Sequence, residues 1–382
     1  MANVPFEDRL TAMRAVDTAP EMTVAIPHYK HRQYLQVVLE TVLSQDCDSF
    51  ELLVSDDCSP DDSAAVIPDM LLASGRPFRY YTQPSNLGYD GNVRFCLAAA
   101  QGRYVLLLGN DDALAGPDIV RRLIDLLSDL GNPAVAFVNF SDYETGAVVA
   151  RAQRTQLLGA GPETALRYFR SFSFVAGLIY DREYARQHET DRWDQSIYYQ
   201  IYLAGRIIAS GNSLAAIALT AVRKDVRVAG DHVFNYAVKW ANAPWSFQSR
   251  HTGMDSVIRV TADAILPFVP AGMQSATLRQ IINQILTITY PYWLMEYRRV
   301  ANWSFAVGIA RSMWPGRLLA EYTILHPADR LRIWFRYVIV TVGGLFIPAS
   351  LFHRIKERLA GMLRQRQQNP TPAAPIIRDK HT

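Results

Sequence analysis

Tyr104-Val105-Leu106-Leu107-Leu108-Gly109-Asn110-Asp111-Asp112 sets an unbroken apolar run directly against a turn that carries two adjacent carboxylates. Such a run, with no polar alternation, predicts a strand over Tyr104–Leu108 covered on both faces. Strands of that kind belong to parallel sheets lying between layers of helix. Ligands of these sheets bind beyond the carboxyl ends of the strands, so Asp111 and Asp112 stand where a ligand is expected. Two neighbouring carboxylates repel, and the repulsion calls for a cation or several hydrogen-bond donors. A plainer reading makes them a turn pair that helps cap the helix opened by Pro117 and Asp118. This stretch alone leaves both readings open.

The surrounding sequence repeats the pattern. Strands are predicted at Thr23–Ile26, Glu51–Ser55, Phe78–Gln83 and Ala134–Phe140. Between them lie amphipathic helices: one carries Leu35, Val38, Leu39, Val42 and Leu43 on one face, one passes through Ile67 and Met70, and one covers Asn92–Ala100. Alternating strand and helix predicts an α/β fold, a parallel sheet flanked by helices. Farther on the pattern becomes mixed. A strand-like Phe174–Tyr180 precedes a helix expected over Trp193–Ala204 and an apolar run over Ser213–Val222. Beyond Asp231 the chain reads as helical, with aromatic-rich segments such as Leu278–Arg299.

Three more stretches border the same expected strand ends. Asp56-Asp57-Cys58-Ser59 follows the second strand and repeats the acidic pair, although N-cap duty with Asp61 and Asp62 also explains such residues. Two acidic pairs at two strand ends are harder to attribute to capping than one. Pro27-His28-Tyr29 follows the first strand, and an aromatic there suits stacking on a base; a rim Tyr without a role is equally ordinary. Asn86-Leu87-Gly88 through Arg94 forms a turn into a helix, where Gly and Asn allow close backbone approach. Arg94 then meets either a phosphate or a surface carboxylate. Arg223, Lys224 and Arg227 offer a pyrophosphate contact or a solvated basic loop, and His232 is a lone imidazole.

Bulk properties narrow the classes. The chain has 382 residues, 49% hydrophobic and 20% charged, which reads as globular. Three cysteines at wide spacing give no disulfide framework and no zinc pattern, and a reducing cytosol fits them. The opening MANVPFEDRL lacks the layout of a secretory signal. From Leu325 to Thr382 there are ten Lys and Arg against three Asp and Glu, an excess of +7 that leaves −4 for residues 1–324. An acidic-leaning body argues against nucleic acid, and a basic, apolar tail suits an anionic membrane surface. Tyr337–Phe352 is uncharged but shorter than a spanning helix needs. It reads as a helix pair at the membrane interface anchored by Trp334 and flanking basic residues, or as a helix buried on the body or on a second subunit.

The segments TVAIPHYKHRQYLQVVLETVLSQDCDSFELLVSDDCSPDDS and NLGYDGNVRFCLAAAQGRYVLLLGNDDAL resemble family 2 glycosyltransferases of the GT-A fold. Order and spacing agree over roughly residues 21–130 and more loosely to about 228. Within the family the chain most resembles bacterial enzymes of O-antigen and exopolysaccharide assembly. The resemblance implies an N-terminal extension over 1–20, a nucleotide-sugar-binding half over 21–140 and an acceptor-side half over 141–230. A helical, membrane-associated region over 231–364 and a disordered tail over 365–382 follow.

The resemblance also implies site roles. Pro27 and Tyr29 line the base pocket, Asp57 accepts from the base with Asp56 supporting the turn, and Asn86 and Arg94 border the donor. Asp111 faces the ribose, and Asp112 ligates Mg²⁺ or Mn²⁺. The family's usual Ala-Arg-Asn is replaced here by Asn92-Val93-Arg94. WDQSIYYQIYLAG (Trp193–Gly205) matches the family's helix-starting acidic pair, with Trp193 in place of Glu and Asp194 at the base position. Asp194 is equally a good first-turn helix residue, and Asp191 is its nearest substitute.

The implied activity is inverting transfer of a sugar from a nucleotide diphosphate sugar to an acceptor hydroxyl. The acceptor is lipid-linked or a growing glycan at the cytosolic face of the inner membrane. Nucleotidyl transfer that makes an activated sugar, and non-catalytic binding on the same fold, are the alternatives.

Overall fold

The computed structural model describes residues 6–15, 19–229, 255–300, 303–348 and 351. In chain order its strands are β1 (Leu10–Arg14), β2 (Met22–His28), β3 (Phe50–Asp56), β4 (Phe78–Thr82), β5 (Tyr104–Leu107) and β6 (Ala113–Leu114). Then come β7 (Val135–Asp142), β8 (Val148–Val149), β9 (Gln156–Gly159), β10 (Leu178–Asp181) and β11 (Leu214–Lys224). They form one sheet in the order β1-β4-β3-β2-β5-β10-β7-β11-β6, with β8 on β7 and β9 on β11. β4, β3, β2 and β5 are mutually parallel.

Successive side chains of a strand point to opposite faces, so a strand buried throughout feeds two cores. Val24 and Ile26 of β2 join the cluster beneath the helices Arg32–Leu43, Ser63–Ala73 and Ile119–Asp129. Ala25, between them, joins the other cluster, against the helices Gly88–Ala99 and Tyr199–Ala209. Leu35, Val38, Leu39 and Val42 of the expected helical face are all buried.

The structure corrects several expectations. The sheet bears out the expected GT-A arrangement, parallel over β4, β3, β2 and β5, and becomes mixed beyond them, where β10 runs antiparallel to both β5 and β7. The strand expected over Phe174–Tyr180 begins only at Leu178, because Arg151 takes the preceding carbonyls. Its Nε donates to Val138 O (2.7 Å), Nη1 to Ser171 O (3.2 Å) and Phe174 O (3.1 Å), and Nη2 to Ala176 O (3.0 Å). Burial lowers this guanidinium to about 9, which leaves it charged at neutral pH. The helix expected over Trp193–Ala204 starts at Tyr199, since Gln195 (φ 70°) and Ile197 (φ 63°) adopt left-handed backbone that no α-helix passes through.

The segment 1–20 is more than an extension, because β1 closes one sheet edge antiparallel to β4. The same sheet continues past residue 140 through β7, β10 and β11. After residue 254 the described chain is helical: Ser256–Ile265, Ala271–Gln284, Tyr290–Val300, Trp303–Ser312, Pro315–Glu321 and Pro327–Phe346. The described part of Tyr337–Phe352 is mainly the end of that last helix, which runs through Gly343 and Gly344 and stops at Phe346; the expected second helix of the pair falls largely outside the described residues. Gly344 is pressed against Leu294, where a Cβ would collide. No helix among the described residues is long and apolar enough to cross a membrane. His232, the basic residues after Leu351 and the tail over 365–382 lie outside the described residues.

Candidate functional site

Because β3, β2 and β5 are parallel neighbours, their carboxyl ends open on one edge. β3 delivers Asp56 and Asp57, β2 delivers His28 and Tyr29, and β5 leads into Asn110, Asp111 and Asp112. The two acidic pairs flank β2, two strand spacings apart, or roughly 10 Å. Short bonds tie these loops together. Asp57 N–H donates to His28 O (2.8 Å), and the Asn110 amide meets His28 Nδ1 (3.1 Å) and Lys30 O (3.2 Å). Burial holds His28 neutral by lowering it to about 4, and its Nε2 meets Ser63 Oγ at 2.9 Å.

The two members of the first pair differ in role. Asp56 is consumed by the fold: Tyr80 O–H donates to it at 2.7 Å and Ser59 N–H at 2.9 Å. Asp57 is buried and accepts the Leu87 N–H at 2.5 Å. Burial raises its carboxyl to about 6, the backbone N–H groups of Leu87 and Gly88 pull the other way, and the Asp56 charge adds to the rise. Asn86 braces the junction, donating to Asp57 O (3.1 Å) and accepting from Gly88 N–H (3.0 Å). Tyr29 is exposed at the rim with the Lys30 ammonium 4.8 Å from its ring centre, and Pro27 is half-buried in β2.

Asp111 and Asp112 fold back over Gly109. A Cβ there would overlap Asp112 Oδ2 and lie 3.2 Å from Asp111 Oδ1. Asp112 is buried and its Oδ1 accepts the Asp225 N–H at 3.1 Å, while Val226 N–H donates to Asp111 O at 2.8 Å. Burial first, then the Asp111 charge, push the Asp112 carboxyl well above the ordinary carboxylate range; the Asp225 charge adds to this. No three His, Cys, Asp or Glu side chains among the described residues form a ready-made metal cage. The Asp111 and Asp112 carboxylates nonetheless offer hard oxygen donors of the kind that suit Mg²⁺ or Mn²⁺. The basic residues at the end of β11 and just past it are engaged by protein partners. Lys224 pairs with Asp225 and Asp142, Arg223 donates to Tyr143 O (3.0 Å), and Arg227 pairs with Glu144 (3.0 Å).

Asp194 lies in a turn five residues before its helix and is held against the helix Gly88–Ala99. Arg94 binds it through Nη2 to Oδ2 (2.7 Å) and Nε to Oδ1 (3.3 Å), and Arg94 Nη1 reaches Glu189 at 3.2 Å. Of the two partners left open for Arg94, the structure gives it carboxylates. Asp191 donates no side chain to this contact; its carbonyl accepts the Asp194 N–H at 2.9 Å. One helix therefore links Asp57, which accepts the N–H of Leu87 at its N-cap, to Asp194, which is bound by Arg94 in its middle.

Residues 23–185 match the family described as Glycosyl transferase family 2. They are a family 2 glycosyltransferase domain. A GalNAc(5)-diNAcBac-PP-undecaprenol beta-1,3-glucosyltransferase of Campylobacter jejuni is 30% identical over 95 residues, 25% of this chain and 31% of that protein. A polyprenol monophosphomannose synthase of Mycolicibacterium smegmatis is 25% identical over 249 residues, 62% of this chain and 91% of that protein. The match spans about three tenths of the length of the first such relatives. The structure of S. aureus TarS residues 1–349 in complex with UDP superposes with a TM-score of 0.54 at 13% identity, covering 85% of this chain and 89% of that one. That likeness shows the GT-A fold, with its helical region after the sheet.

Within the glycosyltransferase domain, sequence reasoning missed Asp90. It is fully buried and accepts the N–H of Ile197 (2.6 Å) and of Tyr199 (3.0 Å), fixing the turn that carries Asp194. Burial raises its carboxyl to about 7, against the pull of those N–H groups. No local signal marks it: Asp90 stands among Gly88, Tyr89, Gly91 and Asn92, ahead of the helix expected from Asn92.

Proposed function

We propose that the protein is an inverting, Mg²⁺- or Mn²⁺-dependent glycosyltransferase that moves a sugar from a nucleotide diphosphate donor to an acceptor hydroxyl. The observation that carries this reading is the convergence of Asp57 and the Asp111–Asp112 pair at one sheet edge, with Asp194 bound to the helix that begins beside Asp57. In this reading residues 21–140 hold the nucleotide and 141–230 the acceptor, with a helical region over 231–364. Tyr29 and Pro27 face the base, and Asp57 accepts its N–H. Asn86 shapes the turn beside it, and Asp111 meets the ribose. Asp112 would hold the divalent ion, which when bound would supply charge neutralisation of the leaving group.

Asp194 takes the acceptor proton as the hydroxyl oxygen attacks the anomeric carbon and the bond to the diphosphate oxygen breaks. One carboxylate base, with no second nucleophile, gives inversion. Arg94 orients this base by holding both oxygens, and each oxygen keeps a further lone pair for the incoming proton. The names of the Campylobacter and Mycolicibacterium relatives, both of which carry a polyprenyl substrate, support a lipid-linked acceptor. Work at the cytosolic face of the inner membrane follows from such an acceptor. The test is a melting-point screen of UDP, GDP, dTDP and CDP with and without Mn²⁺, followed by transfer assays with sugars of the stabilising nucleotide. A metal-dependent rise with one base and release of that nucleoside diphosphate are expected; no stabilisation by any of the four overturns the reading.

A further inference from the structure

The helix Pro327–Phe346 has two faces of opposite character. Ile333, Tyr337 and Gly344 are buried against the body. On the other side Leu331, Phe335, Val338, Ile339, Val342 and Phe346 are each between 48% and 71% exposed. The i, i+3/i+4 spacing of 331, 335, 338, 342 and 346 is that of one helical face, directly opposite the buried one. Trp303, half exposed, extends the patch at its far end, with its ring 6.2 Å from that of Phe346. Six large apolar side chains in one exposed row exceed the scattered exposure common on protein surfaces.

Cations border the row on one side. Arg332 and Arg336 lie along it, and with Arg279 they line a groove of about 610 Å³ around Phe335 and Ile339. The only acid of this helix, Asp329, is buried and shared between Arg279 (3.3 Å) and Arg332 (3.2 Å). Arg279 and Arg332 thus share one carboxylate, and Arg336, which donates to Thr287 Oγ1 (3.4 Å), adds a third guanidinium to the groove. The sequence after Leu351 adds seven Lys and Arg against two Asp and Glu.

We propose that this face is a docking surface for an anionic phospholipid leaflet, with the helix lying in the interface plane. The apolar row enters the acyl boundary, and Arg279, Arg332 and Arg336 meet lipid phosphates from the groove beside it. A second copy of the same face offers no carboxylate to answer these arginines, whereas a leaflet offers phosphate at every headgroup. The inference deepens the lipid-linked acceptor reading by naming the surface that brings the enzyme to that lipid. Its physics does not depend on the chemistry at Asp194.

The experiment is sedimentation of the full chain with vesicles of phosphatidylcholine alone or mixed equally with phosphatidylglycerol, alongside its oligomeric state. Binding to the mixed vesicles at least tenfold above the neutral ones is expected. Arg332→Gln with Arg336→Gln should abolish that preference, and Phe335→Asp with Ile339→Asp should abolish binding to both. All four positions are solvent-exposed, and unchanged melting points verify the fold. Undiminished vesicle binding by the Phe335→Asp, Ile339→Asp variant overturns the proposal. So does a wild-type dimer that ignores vesicles and falls apart in that variant. Nucleotide stabilisation, measured on the same samples, fails or succeeds separately and so keeps the two readings apart.

Discussion

Replacing Asp90 by Asn tests the electrostatics beneath the proposed base. The Asp90 carboxyl stands at about 7 in the folded chain against an ordinary value of 3.8, chiefly because it is buried. Between those values the folded chain retains a proton that the unfolded chain has released. The stabilisation is therefore complete below the unfolded value and is lost as pH rises through about 7. From pH 5 to pH 8 the change amounts to about two pKa units, or roughly 3 kcal/mol. Asn does not titrate, so Asp90→Asn should gain on the wild type by about that much over this range. Asp57, raised to about 6, acts in the same sense, and His28, lowered to about 4, in the opposite one; both are present in each protein and cancel in the difference. A constant offset is also expected, about 1–3 kcal/mol against the variant, because one amide oxygen cannot satisfy the N–H groups of both Ile197 and Tyr199. Urea unfolding of both proteins at pH 5, 6, 7 and 8 reads slope and offset together. Two stability curves that stay parallel within about 0.5 kcal/mol would show that the carboxyl is not perturbed.

Other outcomes follow from the same geometry. Asp194→Asn should lower turnover by about 10²–10⁴-fold while leaving donor stabilisation intact, as loss of a general base does; unchanged turnover would remove Asp194 from the chemistry. Donor affinity should fall as pH drops through about 6, where Asp57 gains its proton, and Asp57→Asn should bind weakly with no such profile. A wild-type profile flat from pH 5 to 8 would contradict the acceptor role. In Asp112→Asn the Mn²⁺-dependent part of the melting-point rise should vanish, leaving only the metal-free response. Persistence of the metal effect would place the ion elsewhere.

The apolar strands announced their own burial, and parallel topology then carried Asp57, Asp111 and Asp112 to one edge without any tertiary information. What stayed hidden depends on contacts distant in sequence. Arg94 is 100 residues from Asp194, and no local pattern distinguishes a carboxylate partner from a phosphate. Asp90 is an acid in a buried helix, and its donors lie 107 and 109 residues away. The late start of the Tyr199 helix rests on left-handed backbone at Gln195 and Ile197, residue types that rarely adopt it. The antiparallel β10 follows a loop organised around Arg151, a residue that reads in sequence as surface charge.

Arg151 also limits how this protein can be re-engineered. One guanidinium fork closes the carbonyl ends of β7 and of the loop 171–176, and a lysine ammonium cannot span four such acceptors with the same planar geometry. A graft that imports a new loop between β9 and β10 while replacing Arg151 would strand those oxygens in an aromatic niche formed by Phe137, Phe140 and Phe174. Loop exchange aimed at acceptor choice therefore has to move this arginine and its loop together, as one cassette.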